Sequence, residues 1–320
     1  MQSITIWLSI ALGILFFLEI FDYFVLYRKQ GWFRSLCFLF VVCVMLPYPL
    51  LVPENLGWIR FFFSMVVFNK ILKSLEITYN HVNPEHLKSF GRYLFWSLNF
   101  PEPTWPATED QAFQSKIQGK KRIFRSLIKL ALLSGLFVFS TIFSFVDTLF
   151  YVRMLWLMLV AYLLFSALID MITGITMQSG IFLEEVFDSP LLAKSPREFW
   201  GKRWNLYFRN VCHRNVFEPL GGTKRPVLAV VCVFGVSSLL HEYMIFVSAG
   251  KSCLGYMTLF FSCHCLATIA QTLLTKKIGK KKIFPAPIAI ALHLSWMILV
   301  IPIFMEPILL LFPAHTWKLW

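Results

Sequence analysis

The stretch PVLAVVCVFGVSSLLHEYMIFVS, residues 226–248, decides the fold class of this protein. Apart from His241 and Glu242 it is apolar or small, and it exceeds the roughly 20 residues that cross the hydrocarbon core of a bilayer. The whole chain of 320 residues is 58% apolar and only 15% charged, which is too little charge to cover a soluble domain of this size. These observations predict an integral membrane protein.

Seven more apolar runs have a comparable length, so we predict eight transmembrane helices in all. They lie at about 4–27, 33–52, 56–75, 127–147, 151–176, 226–248, 253–275 and 284–312. The third is weak because charged residues crowd its ends. Pro302 and Pro307 predict that the eighth kinks, or breaks into a span and a shorter segment. The expected fold is an all-α polytopic membrane protein with cytosolic amphipathic helices, forming one embedded domain over residues 1–320.

The basic residues are unevenly distributed between the two sides of these predicted helices. The connections near 28–34, 69–129, 176–226 and 276–282 hold 26 of the 30 Lys and Arg residues. Basic connections remain on the cytosolic side, so both termini are expected to face the lumen or the exterior. The net charge of +13 is then explained mainly by membrane topology, and we do not expect nucleic-acid binding.

The first long cytosolic segment predicts an amphipathic helix over residues 85–100. Leu87, Phe90, Leu94 and Leu98 recur at helical spacing, with Lys88 and Arg92 beside them. Such a helix is typical of segments that lie in the membrane interface. The proline-rich stretch 101–110 is expected to end it.

The second long cytosolic segment, residues 195–222, predicts another amphipathic helix. Ser195, Pro196 and Glu198 form the pattern of an N-terminal capping box, and Gly221-Gly222 marks the end. One face carries aromatic and apolar residues, at Trp200, Trp204, Phe208 and Val211. An interfacial anchor explains this pattern on its own. Asn205 adds a neutral amide at the edge of the aromatic face, where it can donate two hydrogen bonds.

Ionisable residues inside the predicted spans are candidate functional groups, because burying them in a bilayer is costly. His241 lies near or past the membrane midplane, and His293 is a second intramembrane histidine. Glu242 follows His241 directly and points elsewhere on a helix, which argues against a His–Glu dyad. The Cys263-His264-Cys265 run is a poor metal site for the same reason, and no metal is expected.

Other polar groups in the spans are expected to be satisfied structural residues. They are Glu19 and Asp22 in the first span and Asp170 in the fifth. The seven cysteines contain no CxxC pair and are expected to be reduced.

REFWGKRWN, residues 197–205, is followed 36 residues after its Asn205 by His241 in LLHEY. This combination resembles the membrane-bound O-acyltransferase (MBOAT) family, and most of all its wax-synthase-like branch, the long-chain-alcohol O-fatty-acyltransferases. The motif-bearing region is 195–248. The diacylglycerol and sterol branches read closer to FYxDWWN, whereas FWGKRWN here replaces the acidic residue with basic ones. The motif therefore does not identify the acceptor alcohol.

The resemblance implies acyl transfer from acyl-CoA to a long-chain alcohol in the endoplasmic reticulum. His241 would be the general base, and Asn205 would orient the thioester or stabilise the oxyanion. Trp200 and Trp204 would contact substrate, with Arg203 and Arg209 contacting the phosphates of coenzyme A. No cofactor or metal is then required, since acyl-CoA is a co-substrate.

Three alternatives remain. The first is a sterol or diacylglycerol O-acyltransferase, because the acceptor pocket cannot be located in one sequence. The second is a lipid transporter with a polar path through His264, His293 and Asp170, although the inverted repeats typical of transporters are not visible. The third is a protein acyltransferase, for which the short lumenal connections offer little docking surface.

Overall fold

The computed structural model describes residues 2–142, 149–250, 253–278 and 284–311, and helices dominate it. We number the α-helices α1 Gln2–Phe21, α2 Gly31–Met45, α3 Gly57–Thr78, α4 Pro84–Leu87, α5 Phe90–Leu98, α6 Glu109–Ile142, α7 Phe150–Thr176, α8 Pro196–Glu198, α9 Leu206–Cys212, α10 Pro226–Ala249, α11 Tyr256–Ile278 and α12 Ala286–Leu311. Two short strands, β1 Pro103–Thr104 and β2 Phe182–Leu183, pair antiparallel. Single turns of π-helix occupy Asp22–Leu26, Phe199–Arg203 and His213–Phe217, and 3₁₀ turns occupy Tyr48–Leu51, Glu54–Leu56, Met177–Ser179, Pro190–Leu192 and Gly222–Lys224.

Seven helices of the described chain are long and apolar enough to cross a membrane. They are Ile6–Leu26, Gly31–Leu51, Glu109–Ser140, Phe150–Ser179, Pro226–Ala249, Tyr256–Lys277 and Ala286–Leu311. The protein is therefore a multi-pass membrane protein, as predicted. The third predicted span is also a helix, α3, of 22 residues. It carries Arg60, Lys70, Lys73 and Glu76, and it is not one of these seven.

Two lysines of α3 are buried, Lys70 beside the end of the first span and Lys73 beside α5. Lys70 Nζ lies 2.9 Å from Glu19 and 2.8 Å from Asp22, and Tyr93 of α5 donates a 2.7 Å hydrogen bond to Glu19. Lys73 lies over the ring of Trp96. The sequence assigned Lys70 and Lys73 to a cytosolic connection, but both lie inside α3. The expectation that these carboxylates are satisfied is confirmed for Glu19. For Asp22 it is confirmed only at Oδ2, because Oδ1 has no hydrogen-bond partner among the described residues.

The predicted amphipathic helix over 85–100 is divided. It breaks between α4 and α5, where Ser89 caps α5 by accepting a hydrogen bond from the Arg92 N–H. The most deeply buried residues are Tyr93 and Trp96, and Leu98 is 56% exposed. The predicted buried face was therefore wrong at Leu98. The rings of Tyr93 and Trp96 are buried instead, because they pack on the first three helices.

The fourth predicted span begins much earlier than expected. α6 has 34 residues from Glu109, so at 1.5 Å per residue its length is about 51 Å, longer than the roughly 30 Å bilayer core. Residues 143–147 of the predicted span lie outside the described residues. α6 packs closely on α7 through glycines: a Cβ on Gly119 would lie 2.7 Å from the Gly174 carbonyl oxygen. Asp170 of α7 pairs with Arg125 and Lys129 of α6, which confirms its structural role.

The eighth predicted span does not break. α12 is an uninterrupted helix of 26 residues from Ala286 to Leu311, and both Pro302 and Pro307 lie inside it. Neighbouring groups in transmembrane helices can satisfy the carbonyls that a proline leaves unpaired. Residue 312 lies outside the described residues.

The described residues fall into two compact units. One comprises Met1–Phe100, Asn210–Cys265 and Pro307–Trp320, and the other comprises Pro101–Arg209 and Leu266–Glu306. His241 belongs to the first unit and Asn205 to the second, and each is described within its own unit. The single domain over 1–320 stays a prediction.

Candidate active site

The predicted continuous helix over residues 195–222 is interrupted at the tryptophan-asparagine pair. Its start is as expected: Ser195 accepts a 3.2 Å hydrogen bond from the Glu198 N–H, and Pro196 occupies the first turn. One turn of π-helix then follows, and at Trp204 the backbone becomes extended (φ −102°, ψ 127°). Asn205 has φ +45°, in the left-handed region. The prediction of one aromatic face along a single helix was therefore wrong.

Asn205 starts a new helix at this break. Its Oδ1 accepts a 3.2 Å hydrogen bond from the Phe208 N–H, and its carbonyl accepts one of 3.0 Å from the Arg209 N–H. Asparagine suits the position because it tolerates left-handed backbone and is a preferred N-cap. The cap uses only Oδ1. The side-chain Nδ2, with two N–H groups, is not part of it.

The two predicted substrate-contacting tryptophans lie in an aromatic cluster of the second unit. Trp204 is stacked on Phe199 with centroids 5.3 Å apart, and it also contacts Phe187 at 4.9 Å and Tyr162 at 6.1 Å. Trp200 meets Phe199 edge-on at 5.0 Å. Both pack against a small core of Ala193, Phe199 and Met297. These contacts give each ring a packing role, and substrate contact stays a prediction for both.

The two predicted phosphate contacts have different surroundings. Arg203 is held by Glu198 at 2.7 Å and by the carbonyls of Asp188 and Ser189, so most of its donors are engaged within the protein. Burial acts to raise the pKa of the Glu198 carboxyl, but the hydrogen bonds from Arg203 and the Lys194 N–H outweigh it, and the pKa is lowered. Arg209 is half-buried, and its Nε has no hydrogen-bond partner among the residues described. Arg209 is the better candidate of the two for an external anion.

His241 is the sixteenth of the 24 residues of α10, in the first unit. Its Nδ1 lies 2.8 Å from the Ser237 carbonyl oxygen, and its ring packs on Phe261 of α11 at 4.7 Å. A carbonyl oxygen only accepts hydrogen bonds, so Nδ1 carries the proton. In the neutral imidazole the basic lone pair is then on Nε2.

Glu242 connects α10 to the start of α11. Its carboxylate accepts hydrogen bonds from the Gly255 N–H and, at 2.9 Å each, from the Thr258 N–H and hydroxyl. Gly255 immediately precedes α11 and Thr258 lies in its first turn, so the carboxylate caps a helix N-terminus, where negative charge is favourable. The expectation that Glu242 does not pair with His241 is confirmed.

Residues 183–263, which contain both Asn205 and His241, match the model of the membrane bound O-acyl transferase family. This match agrees with the predicted resemblance to the family. It begins at β2 and ends in the second turn of α11.

Relatives in Arabidopsis thaliana agree with the family. Acyl-CoA–sterol O-acyltransferase 1 is 31% identical over 126 residues, 37% of this chain and 36% of the relative. Probable long-chain-alcohol O-fatty-acyltransferase 9 is 33% identical over 95 residues, 27% of this chain and 28% of the relative. Probable long-chain-alcohol O-fatty-acyltransferase 2 is 34% identical over 104 residues, 30% of each chain. The matched stretch thus spans about a third of the length of these relatives.

The other two intramembrane histidines are buried. His264 is fully buried and lies 4.6 Å from the ring of Phe260. His293 is 3% exposed and lies 5.5 Å from Phe199, and neither of its ring nitrogens has a hydrogen-bond partner in the described part of the chain. His293 therefore contacts the aromatic cluster that adjoins Asn205, which sequence spacing did not indicate.

The seven cysteines are all free. Cys212 ends the helix that Asn205 caps, and burial raises the pKa of its thiol to about 12. At neutral pH it is a thiol, which is a poor nucleophile.

Three residues that set the surroundings of His241 were not predicted from the sequence: Ser237, Glu242 as a helix cap, and Phe261. Ser237 acts through its backbone carbonyl, which leaves no signal in residue type. Glu242 and Phe261 depend on how α10 meets α11, across a connection whose conformation the sequence does not reveal. For Ser237, the sequence offers only its position four residues before His241, which places the two residues on the same face of a helix.

Proposed function

We propose that this protein is an O-acyltransferase that transfers a fatty acyl group from acyl-CoA to a long-chain alcohol and forms a wax ester. One observation carries the proposal: the segment that matches the family holds a histidine inside a membrane span, with its Nδ1 fixed by a backbone carbonyl. An imidazole arranged in this way can accept a proton at Nε2 without first losing one.

The proposed reaction is a direct transfer. His241 Nε2 accepts the hydroxyl proton of the alcohol while its oxygen attacks the thioester carbonyl carbon. The negative charge moves to the carbonyl oxygen, where an N–H of the Asn205 amide stabilises it. The carbon–sulfur bond then breaks, and His241 returns the proton to the sulfur of coenzyme A. The products are an ester and the free thiol, and the residues invoked require neither metal nor cofactor.

Asn205 fits its proposed role because its two side-chain atoms have separate tasks. Oδ1 is engaged in capping α9, which prevents the amide from rotating freely. The orientation of Nδ2 is thereby restricted, and a restricted donor is more effective for a developing oxyanion than a mobile one.

The basic side of the protein suits acyl-CoA. In the proposed topology both termini are lumenal, in the endoplasmic reticulum, and the segments rich in Lys and Arg face the cytosol. Arg209 lies in the helix capped by Asn205, and we assign it to the phosphates of coenzyme A. Arg203, engaged with Glu198, positions the loop that carries Trp204.

One relative is named as a sterol O-acyltransferase, so sterols are the second candidate class of acceptor. Fatty alcohol is our first choice because several relatives are named as probable long-chain-alcohol O-fatty-acyltransferases.

The decisive experiment is an assay of purified protein with acyl-CoA and separate fatty alcohol, sterol and diacylglycerol acceptors. Products are separated by thin-layer chromatography, with the His241→Ala variant as the inactive control. Wax ester as the main product supports the proposal. If steryl ester or triacylglycerol is the main product, the acceptor is a sterol or diacylglycerol instead of a fatty alcohol. If no acceptor gives an ester, acyl transfer to these alcohols is refuted.

A further inference from the structure

A cavity of about 700 Å³ lies in the first unit, between the start of α2 and the end of α3. Its lining residues are Gln30, Gly31, Arg34, Ser35, Phe38, Leu75, Thr78, Tyr79 and Asn80. Among these residues there is one positive charge and no carboxylate. The cavity is thus suited to an anion.

Arg34 is a buried cation without a counter-ion among the described residues. It is 8% exposed, and its acceptors are the carbonyls of Tyr27, Lys29 and Thr78 and the side-chain oxygen of Asn80, at distances from 2.5 to 3.4 Å. All four acceptors are uncharged. Burying a charge without an opposite charge is costly, so an anionic ligand beside the guanidinium would relieve that cost.

The start of α2 adds further positive character to the cavity. Gln30 precedes the helix, and its side chain makes no capping hydrogen bond, so the first-turn N–H groups are not capped by it. These amides and the positive end of the helix dipole favour phosphate. Ser35 adds a hydroxyl one turn into α2.

The position of the cavity along the membrane spans is the level at which lipid headgroups are expected. It lies where the membrane spans Ile6–Leu26 and Gly31–Leu51 are joined. Trp32, 74% exposed, and Tyr79, 59% exposed, flank it, and such aromatic residues concentrate at the membrane–water boundary. Arg28 and Lys29 in the same connection would attract anionic lipid.

We propose that this cavity binds the phosphate of an anionic glycerophospholipid headgroup from the leaflet on the basic side of the protein. The site is separate from the acyl-transfer residues and does not depend on the proposed function. Arg34 and the first turn of α2 hold the phosphate, and Phe38 contacts the apolar part of the lipid.

The test measures the thermal unfolding of the full protein by tryptophan fluorescence in phosphatidylcholine nanodiscs with or without phosphatidic acid. A ligand that binds the folded state raises the melting temperature. We expect phosphatidic acid to raise it by a few degrees, and Arg34→Gln to abolish the rise. Lys120→Gln, which removes a basic residue from an exposed position of α6, is the matched control and should keep the rise.

Ser35→Asp provides a second variant in case Arg34→Gln does not fold. It places a carboxylate in the cavity lining, leaves the contacts of Arg34 intact, and should also abolish the rise. A rise of wild-type size in both variants overturns the site, as does the absence of any rise in the wild type with every phosphate compound.

Separate measurements with inorganic phosphate and coenzyme A in neutral detergent distinguish a soluble source. A rise with either compound that depends on Arg34, together with no response to phosphatidic acid, retains the phosphate site and overturns the lipid assignment.

Discussion

At the scale of single residues, Asn205 and His241 each combine a structural contact with a separate reactive group. For Asn205 the contact is the Oδ1 cap on the Phe208 N–H, and for His241 it is the Nδ1 hydrogen bond to Ser237. The remaining atoms, Nδ2 and Nε2, are those with the right chemistry for acyl transfer. Substitutions can therefore be chosen to remove one atom and keep the other.

His241→Ala is expected to abolish ester formation while the protein accumulates in membranes at near-normal levels. The substitution leaves every backbone hydrogen bond of α10 intact but removes the base. Ester production and the amount of protein in membranes are measured together, with the exposed His213→Ala as control. Full activity in the His241 variant would refute the assignment of the base.

Asn205→Asp separates the cap from the amide donor. Aspartate keeps an oxygen for the Phe208 N–H and is a good N-cap, so the break before α9 should persist. The loss of the N–H groups should lower the rate about 100–1000-fold, the usual cost of removing an oxyanion donor.

Asn83→Asp is the matched control, because Asn83 caps α4 through its side chain in the same way. It should keep normal activity. If Asn205→Asp is as active as this control, Asn205 is only a helix cap.

At the scale of elements, two contacts between helices determine where functional and charged groups are held. Glu242 of α10 caps α11, and the Ser238 hydroxyl donates to Thr258 at 3.1 Å. Lys70 of α3 forms ion pairs with two carboxylates at the end of the first span. Both contacts join residues far apart in sequence.

Glu242→Ala should lower both stability and activity. Losing a cap costs about 0.5–2 kcal/mol, and freeing the start of α11 also frees Phe261, which packs on His241. Melting temperature and ester formation test this, with Glu109→Ala at the start of α6 as control. Normal activity in the Glu242 variant would show that α11 is held by other contacts.

Lys70→Ala should destabilise the first unit strongly. It leaves Glu19 and Asp22 buried without their cation, and breaking a buried pair in this way costs about 3–5 kcal/mol. Thermal unfolding in detergent measures the loss, compared with Lys120→Ala. A melting temperature equal to the control would mean that these ion pairs do not stabilise the folded state.

At the scale of the whole molecule, the predicted topology depends on how the basic residues are distributed. Tags at both termini are expected to be protected from protease in sealed microsomes. A tag inserted between Pro106 and Ala107, in the exposed stretch before α6, should be accessible. Insertion near Gly119 is unsuitable, because that glycine packs on Gly174. Accessible termini would reverse the orientation, and one accessible end would indicate an odd number of spans.

The sequence by itself determined the class of protein, the approximate position of the apolar helices and the two motif residues. These depend on composition, on runs of about 20 apolar residues and on residue type at a given spacing, which are local properties. The start of α6 was missed because its first turns are polar and carry no membrane signal.

Only the tertiary structure decided the break at Trp204-Asn205, the pairing of Lys70 and the cap provided by Glu242. Each depends on groups brought together by packing: aromatic rings around Trp204, carboxylates beside Lys70, and the amides of α11 beside Glu242. A periodic pattern predicts one continuous helix, but a left-handed asparagine that caps the next helix ends it. Such contacts join positions far apart in the chain, and residue spacing alone does not encode them.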